Sequence, residues 1–237
     1  MKLKKGDFIQ IDYVGRIKDT KQIFDLTDEE LAKKEGIHQE NAKYKPIVIC
    51  IGEGDIVKGL DEELVDKEVG KSYTLEISPE KGFGKKDAKL IKLVNTNMFL
   101  KQNINPMPGL QVNIDNMIAT IRTVTGGRTL VDFNHPLAGR DLTYEVKILK
   151  KITEDKEKLE SILSFHLGIE KPDIKIENGI ALINNDVKDT FKKQLEEKIK
   201  KLIPSIKKIE YKKKEEEKKK EEKEETKKEE KKETSKP

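Results

Sequence analysis

The residues that most often carry chemistry are few and scattered in this chain. Its three histidines, His38, His135 and His166, stand far apart, and its one cysteine, Cys50, lies inside an apolar run. That spacing suits no metal site, and the lone thiol reads as a buried structural group that rules out an intrachain disulfide. No metal and no cofactor is expected. One stretch stands out instead as a frame for an apolar site: Pro46 to Gly84, PIVICIGEGDIVKGLDEELVDKEVGKSYTLEISPEKGFG. Ile47 to Ile51 is an apolar run bounded by Pro46 and by Gly52-Glu53-Gly54, which suits a strand with a covered face. Leu60 and Leu64 at helical spacing predict a short helix from Val57 to Val65 with one apolar stripe. Tyr73, Leu75 and Ile77 alternate with polar neighbours, as in a half-buried strand. A short helix laid across an antiparallel sheet leaves an apolar hollow between them.

The elements that must frame this hollow follow on both sides. Ile9, Ile11 and Tyr13 share one face of an opening strand, Gly15 to Gln22 reads as a hairpin turn, and Ile23-Phe24-Asp25 resumes an extended segment. Asp28 to Lys34 predicts a surface helix capped by Thr27 and stopped by Gly36. Beyond Lys85, four strand-like runs (Lys89–Val94, Leu110–Ile114, Met117–Val124 and Thr129–Phe133) are punctuated by turn chemistry at Asn95–Asn97, Pro106–Gly109, Asp115-Asn116 and Gly126-Gly127. Leu142, Tyr144, Val146 and Ile148 then alternate in a last strand. The interval before it reads as a small β insertion.

The C-terminal third has its own periodicity. Thr153 is a candidate cap for a helix with Leu159, Ile162, Leu163 and Leu167 on one face, ended by Gly168. Asn178-Gly179 between two short apolar runs is a strong hairpin signal. A second helix from Asp186 carries Val187, Phe191, Leu195, Ile199 and Leu202 until Pro204, and Ser205 to Tyr211 reads as a closing strand. From Lys212 onward the chain is Lys and Glu in blocks, either disordered or an isolated helix held by i,i+4 pairs.

Taken in order, these residues carry a resemblance. Ile11-Asp12-Tyr13-Val14-Gly15, Phe24-Asp25, Asp55-Ile56-Val57-Lys58-Gly59-Leu60, Glu68-Val69-Gly70, Ile77-Ser78-Pro79-Glu80 with Gly82-Phe83-Gly84, Asn134-His135-Pro136-Leu137-Ala138-Gly139 and Leu142-Thr143-Tyr144-Glu145-Val146 together resemble the FKBP-type peptidyl-prolyl cis-trans isomerases. The likeness spans Gly6–Ile152. The insertion after Gly84 is similar to the SlyD-like branch, and the folded C-terminal segment to the archaeal long-type members. The implied fold is α+β: an antiparallel half-barrel sheet wrapping one short helix, an inserted β flap domain, and a C-terminal αββαβ domain plus charged tail. The implied bounds are 1–85 with 134–152 for the isomerase domain, 86–133 for the flap, 153–211 for the αββαβ domain and 212–237 for the tail.

The resemblance also implies a site. Tyr13, Asp25, Phe83 and Tyr144 match its catalytic positions. Phe24, Ile47, Ile49, Ile56, Val57, Leu60, His135 and Leu137 match its substrate-binding ones, with the Val57 N–H offered to a substrate carbonyl and Asp25 orienting Tyr13 or polarising the twisted amide. Taken singly, Tyr13, Phe24 and Tyr144 read equally as core, Asp25 as a turn residue and His135 as a loop residue. Met98, Phe99, Met107 and Met117 of the insertion read either as its core or as adaptable contacts for unfolded chains. Two positions depart from the best-known members: Leu60 replaces an indole, and Phe83 replaces a tyrosine that could donate a hydrogen bond. Both weigh against strong macrolide binding.

Bulk composition narrows the field further. Of 237 residues, 34% are hydrophobic and 40% charged, so part of the length lies outside any packed core. Forty-nine basic residues against 45 acidic ones leave a formal charge of +4, which gives no phosphate-binding field and excludes a nucleic-acid role. With no apolar leader and no membrane span, a cytoplasmic protein is expected. The expected partners are unfolded or proline-containing polypeptides, with a homodimer through the C-terminal segment as a further expectation. The rival readings are a non-catalytic holdase with a degenerate pocket and a dimeric scaffold.

Overall fold

The computed structural model describes residues 2–211, so the Lys/Glu run from 212 to 237 lies outside the described residues. The chain divides into two compact units. The first takes in the described residues up to Lys5, Ile11–Ile47 and Ile51–Leu149; the second takes in Gly6–Gln10, Val48–Cys50 and the described residues from Lys150 onward. The elements run β1 (Phe8–Ile17), β2 (Ile23–Leu26), α1 (Glu29–Lys34), β3 (Ile47–Cys50), α2 (Lys58–Glu63) and β4 (Ser72–Ile77). Next come β5 (Ile91–Asn95), α3 (Thr96–Leu100), β6 (Gln111–Ile114), β7 (Met117–Thr125), β8 (Arg128–Asp132) and β9 (Leu142–Ile152). Last are α4 (Asp155–Leu167), β10 (Ile174–Glu177), β11 (Ile180–Ile183), α5 (Asp189–Leu202) and β12 (Lys208–Tyr211). This is a mixed α+β fold with largely antiparallel sheets.

The sheet that carries the site has the order β2-β1-β9-β4, with β3 also paired to β1. Along β9 the side chains alternate as far as Ile148. Leu142, Tyr144, Val146 and Ile148 are buried, and their register partners Ile77 and Leu75 on β4 are buried with them. The opening strand runs past Gly15 to Ile17, so the hairpin turn expected from Gly15 starts three residues later, at Lys18. The reason is steric. A Cβ on Gly15 would stand 2.7 Å from Phe24 Cζ and 3.1 Å from Tyr144 Cε1, so this glycine makes room for two rings and turns nothing. A bulge between Gly15 and Arg16 leaves Phe24 as the unpaired residue of β2. Helix α1 is capped by Asp28, whose carboxylate accepts the Leu31 N–H at 3.0 Å. Thr27, expected as that cap, is instead buried and bridges Tyr13 N–H and Asp12 Oδ1.

Inserted between β4 and β9, a four-stranded sheet of order β5-β8-β7-β6 closes over Phe99, Val112, Ala119, Ile121 and Val131. Its hairpins turn at Asp115-Asn116 and Gly126-Gly127, where all four residues have positive φ, the primed geometry that matches strand twist. The connection expected at Asn95–Asn97 is the start of α3, with Asn95 as its cap.

In the second unit β10-β11-β12 form one sheet, β10–β11 antiparallel and β11–β12 parallel, with α5 making the crossover that a parallel pair requires. Asn178 and Gly179 have φ of 50° and 77° at the hairpin. Leu159, Leu163, Ala181, Ile183, Leu195 and Ile199 centre the core, and Phe8 and Cys50 complete it. The compact unit therefore reaches beyond the 153–211 segment expected from sequence, because its apolar core draws on two short strand segments far upstream. Helix α4 is capped at Glu154 in place of Thr153, and α5 begins at Asp189, three residues after the expected Asp186. Phe191, in its first turn, is 48% exposed and stands off the buried stripe. Among the described residues no helix is long and apolar enough to cross a membrane.

Candidate functional site

Five of the rings singled out in sequence meet in one continuous cluster in the first unit. Tyr13 on β1 lies 6.0 Å, centroid to centroid, from Tyr144 on β9. The edge of Phe24 on β2 meets Tyr144 at 5.6 Å and Phe83 at 6.1 Å, both nearly perpendicular. Phe83 stacks flat on His135 at 4.5 Å. Edge-to-face and parallel contacts of this kind hold rings in fixed positions beyond what area burial alone provides. The wall thus draws on three strands and on both ends of the inserted sheet's connections.

Polar groups sit on the rim. The Tyr13 hydroxyl donates a 2.7 Å hydrogen bond to Asp25 Oδ2, and Asp25 itself is exposed. Burial pushes the Tyr13 pKa up, and the Asp25 carboxylate pushes it further. Tyr144 is raised too, first by burial and then by Asp25. Both hydroxyls therefore stay protonated, and the Tyr13 proton is committed to Asp25. His135 Nδ1 accepts the Leu137 N–H at 3.2 Å, which fixes the exposed imidazole over Phe83 and places the neutral ring's proton on Nε2.

The segment Ile56–Leu60 leads into α2, which packs against β4. Gly59 donates to the Lys81 carbonyl at 2.8 Å, and its missing Cβ would stand 2.6 Å from Ile77 Cγ2. The helix is thereby clamped to the Ser78–Gly84 turn that carries Phe83. Val57 is the N-cap residue, with φ of −53° and ψ of 131°, so its N–H lies outside the helical ladder. Ile56, Val57 and Ile47 are half-buried. Leu60 and Ile49, expected to line the pocket, are 1% and 0% exposed. They are core side chains that present no free surface to a guest, since close packing leaves no gap at such positions.

Sequence reading missed Asp61. Its buried carboxylate accepts Gly52 N–H at 2.8 Å and Gly54 N–H at 3.3 Å, tying the turn after β3 to the start of α2. The signal was present: an acid beside a buried leucine, nine residues after a Gly-x-Gly turn.

In the inserted sheet, Met98, Met107 and Met117 are 58%, 54% and 50% exposed. Phe99, expected beside them, is a correction: at 4% exposure it fills the small core, because α3 turns its ring inward. Leu93, Leu100 and Ile118, which sequence did not single out, are at least half exposed. Among the described residues no group of three or more His, Cys, Asp or Glu is placed to hold a metal ion.

Comparison with known proteins identifies the family. The family described as FKBP-type peptidyl-prolyl cis-trans isomerase matches residues 1–100, and one described as the FKBP26 IF domain matches residues 92–137. The chain is 34% identical over 146 residues to the short-type peptidyl-prolyl cis-trans isomerase of Methanocaldococcus jannaschii, covering 62% of this chain and 92% of that one. It is 27% identical over 154 residues to the FKBP-type isomerase SlyD of Haemophilus influenzae, 63% of this chain and 72% of that one. Against the FKBP-type 16 kDa isomerase of Escherichia coli (strain K12), identity is 26% over 110 residues, or 45% and 74% of the two chains. With an aromatic cluster on the sheet, a rim hydroxyl held by a carboxylate and relatives of one kind along that stretch, the chain belongs to the FKBP-type peptidyl-prolyl cis-trans isomerase family, on its SlyD-like side.

Proposed function

We propose that the ring cluster is a socket for a proline side chain, and that the protein accelerates X–Pro isomerisation in unfolded or partly folded chains. An X–Pro bond turns slowly because twisting it breaks amide resonance, a barrier of about 20 kcal/mol. No proton or nucleophile has to move. A site lowers the barrier by holding the proline ring and by favouring the twisted amide over the planar, better solvated one. Phe24, Phe83 and Tyr144 supply the apolar surround, and the Tyr13 hydroxyl, its proton held by Asp25, supplies a fixed polar edge. The Val57 N–H is the candidate partner for a substrate carbonyl. The observation that carries this reading is the contiguous wall from Tyr13 to His135, built from segments on both sides of the insertion.

The exposed Met98, Met107 and Met117, with Leu93, Leu100 and Ile118, support a second role for residues 86–133: a flap that captures unfolded segments and hands them to the socket. Isolated exposed apolar residues are ordinary, but six within one small inserted segment support a role as adaptable contacts. The segment 153–211 is proposed to pair with a second copy. Exposed Phe165, Ile180 and Phe191 support that assignment, and sedimentation of the full chain tests it.

The function is tested on the full chain with a prolyl tetrapeptide for the socket and a proline-limited refolding protein for the flap. Acceleration of both supports the whole reading. Prevention of aggregation with no acceleration of either would make the protein a holdase.

A further inference from the structure

The inserted sheet joins the rest of the first unit through two connections, outward at Lys86-Asp87 and back at Asp132–Asn134. Asn134, 7% exposed, makes both halves of a strand-like rung with the outward one. Its Oδ1 accepts Asp87 N–H at 2.8 Å, and its Nδ2 donates to the Asp87 carbonyl at 3.0 Å. Asp132, 2% exposed, accepts from Asn134 N–H and Nδ2 at 2.9 and 2.8 Å through Oδ1. Its Oδ2 accepts from Arg122 Nε and Nη2 at 2.9 and 2.6 Å. Arg122 is the extra residue of a bulge between Ile121 and Thr123 on β7, the kind of irregularity that re-aims a side chain.

A buried carboxylate with four hydrogen bonds is more than a covalent connection needs. Burying that charge is unfavourable unless every partner is in place, and such networks hold one geometry against its alternatives. The geometry held here has a clear consequence. The residue after Asn134 is His135, whose ring lies on Phe83, and Gly139 N–H closes onto the Gly84 carbonyl at 2.8 Å. The clasp therefore links the base of the flap to the socket wall.

We propose that Asp132 and Asn134 are positioning residues that lock the two connections and so fix where a chain held on the flap meets the prolyl socket. The proposal rests on the reading of the flap as a chain-binding surface. Side chains that bind nothing themselves thereby set the rate on protein substrates, because a small misplacement of a bound segment lowers turnover without weakening capture.

The full chain is compared with Asn134→Leu, Asp132→Asn and the double variant Met98→Ser/Ile118→Ser. Three quantities are measured: kcat/KM on a prolyl tetrapeptide, kcat and KM on a refolding protein limited by one prolyl bond, and Kd for a permanently unfolded carboxymethylated protein. Asn134→Leu is expected to lower the refolding kcat about tenfold while refolding KM, Kd and tetrapeptide turnover stay within about twofold. An unchanged refolding kcat, or a tetrapeptide rate that falls in step with it, overturns the proposal. If Asn134→Leu does not fold, as judged by thermal unfolding, Asp132→Asn decides by the same outcomes. The double variant separates the underlying reading: unchanged Kd there removes the flap as the capture surface, whereas weakened Kd with an unaltered refolding kcat in Asn134→Leu removes only the clasp.

Discussion

Phe83 and His135 lie ring on ring, 4.5 Å apart with planes within 1° of parallel, although fifty-two residues of sequence separate them. One precedes the insertion and the other follows it, so the stack joins the two ends of the wall across the insertion. His135→Ala is expected to raise KM for a prolyl tetrapeptide about fivefold with kcat little changed, since a stacked pair contributes roughly 1 kcal/mol. His135→Phe should restore KM, because it keeps the stack. Loss of kcat in the alanine variant, unrescued by phenylalanine, would instead make the imidazole a participant in the chemistry.

Gly15 is the point where the rings leave no space. In Gly15→Ala the new methyl would meet Phe24 Cζ at 2.7 Å, so Phe24 or Tyr144 must shift. Overpacking of this kind destabilises by about 1–3 kcal/mol. Thermal unfolding and tetrapeptide turnover should both fall, turnover by about tenfold as the socket distorts. Wild-type values for both would show that the ring positions are not needed.

The Tyr13 hydroxyl carries a pH signature. Burial first, then the hydrogen bond to Asp25, raise its pKa, so the folded chain keeps a proton that the unfolded chain loses near pH ~10. The resulting stabilisation is complete below about pH 10 and is lost as pH rises beyond it. Urea unfolding of wild type and Tyr13→Phe should therefore differ by a constant amount from about pH 6 to 9, and the wild-type advantage should shrink above about pH 10. A shrinkage that begins near neutrality would contradict the assignment.

Asp132 behaves in the opposite sense. Burial opposes its charge, but hydrogen bonds from Arg122 and Asn134 outweigh it and hold the pKa at about 2. Against an unfolded value near ~3.9 this contributes roughly 2 kcal/mol, present above about pH 4 and lost as pH falls toward 2. The gap in unfolding free energy between wild type and Asp132→Asn should narrow over that acid range. A gap independent of pH would mean that the carboxylate is not held ionised.

What was legible in sequence follows from periodicity. Alternation along Leu142–Ile148 and Leu75–Ile77 marked the buried face correctly, and the resemblance carried by the short motifs singled out Tyr13, Phe24, Phe83 and Tyr144, whose rings meet in one cluster. What was not legible depends on side chains choosing between partners. Thr27 and Asp28 are both competent caps, and the sheet claimed Thr27 through Tyr13 N–H. Phe99 and Met98 are neighbours of similar polarity, and only the phase of α3 sends one inward and the other out. Asp132, Asn134 and Arg122 became a network through a bulge, which shifts register without leaving a mark in the pattern of apolar residues.

The central claim is that the ring cluster turns prolyl bonds, and a protease-free tetrapeptide assay measures that directly. The account predicts acceleration over the thermal rate by the full chain, with about a tenfold loss in kcat/KM for Tyr13→Phe, the scale of one hydrogen bond to a charged partner. A wild-type rate equal to the thermal one, in protein that still captures unfolded chains, would contradict it.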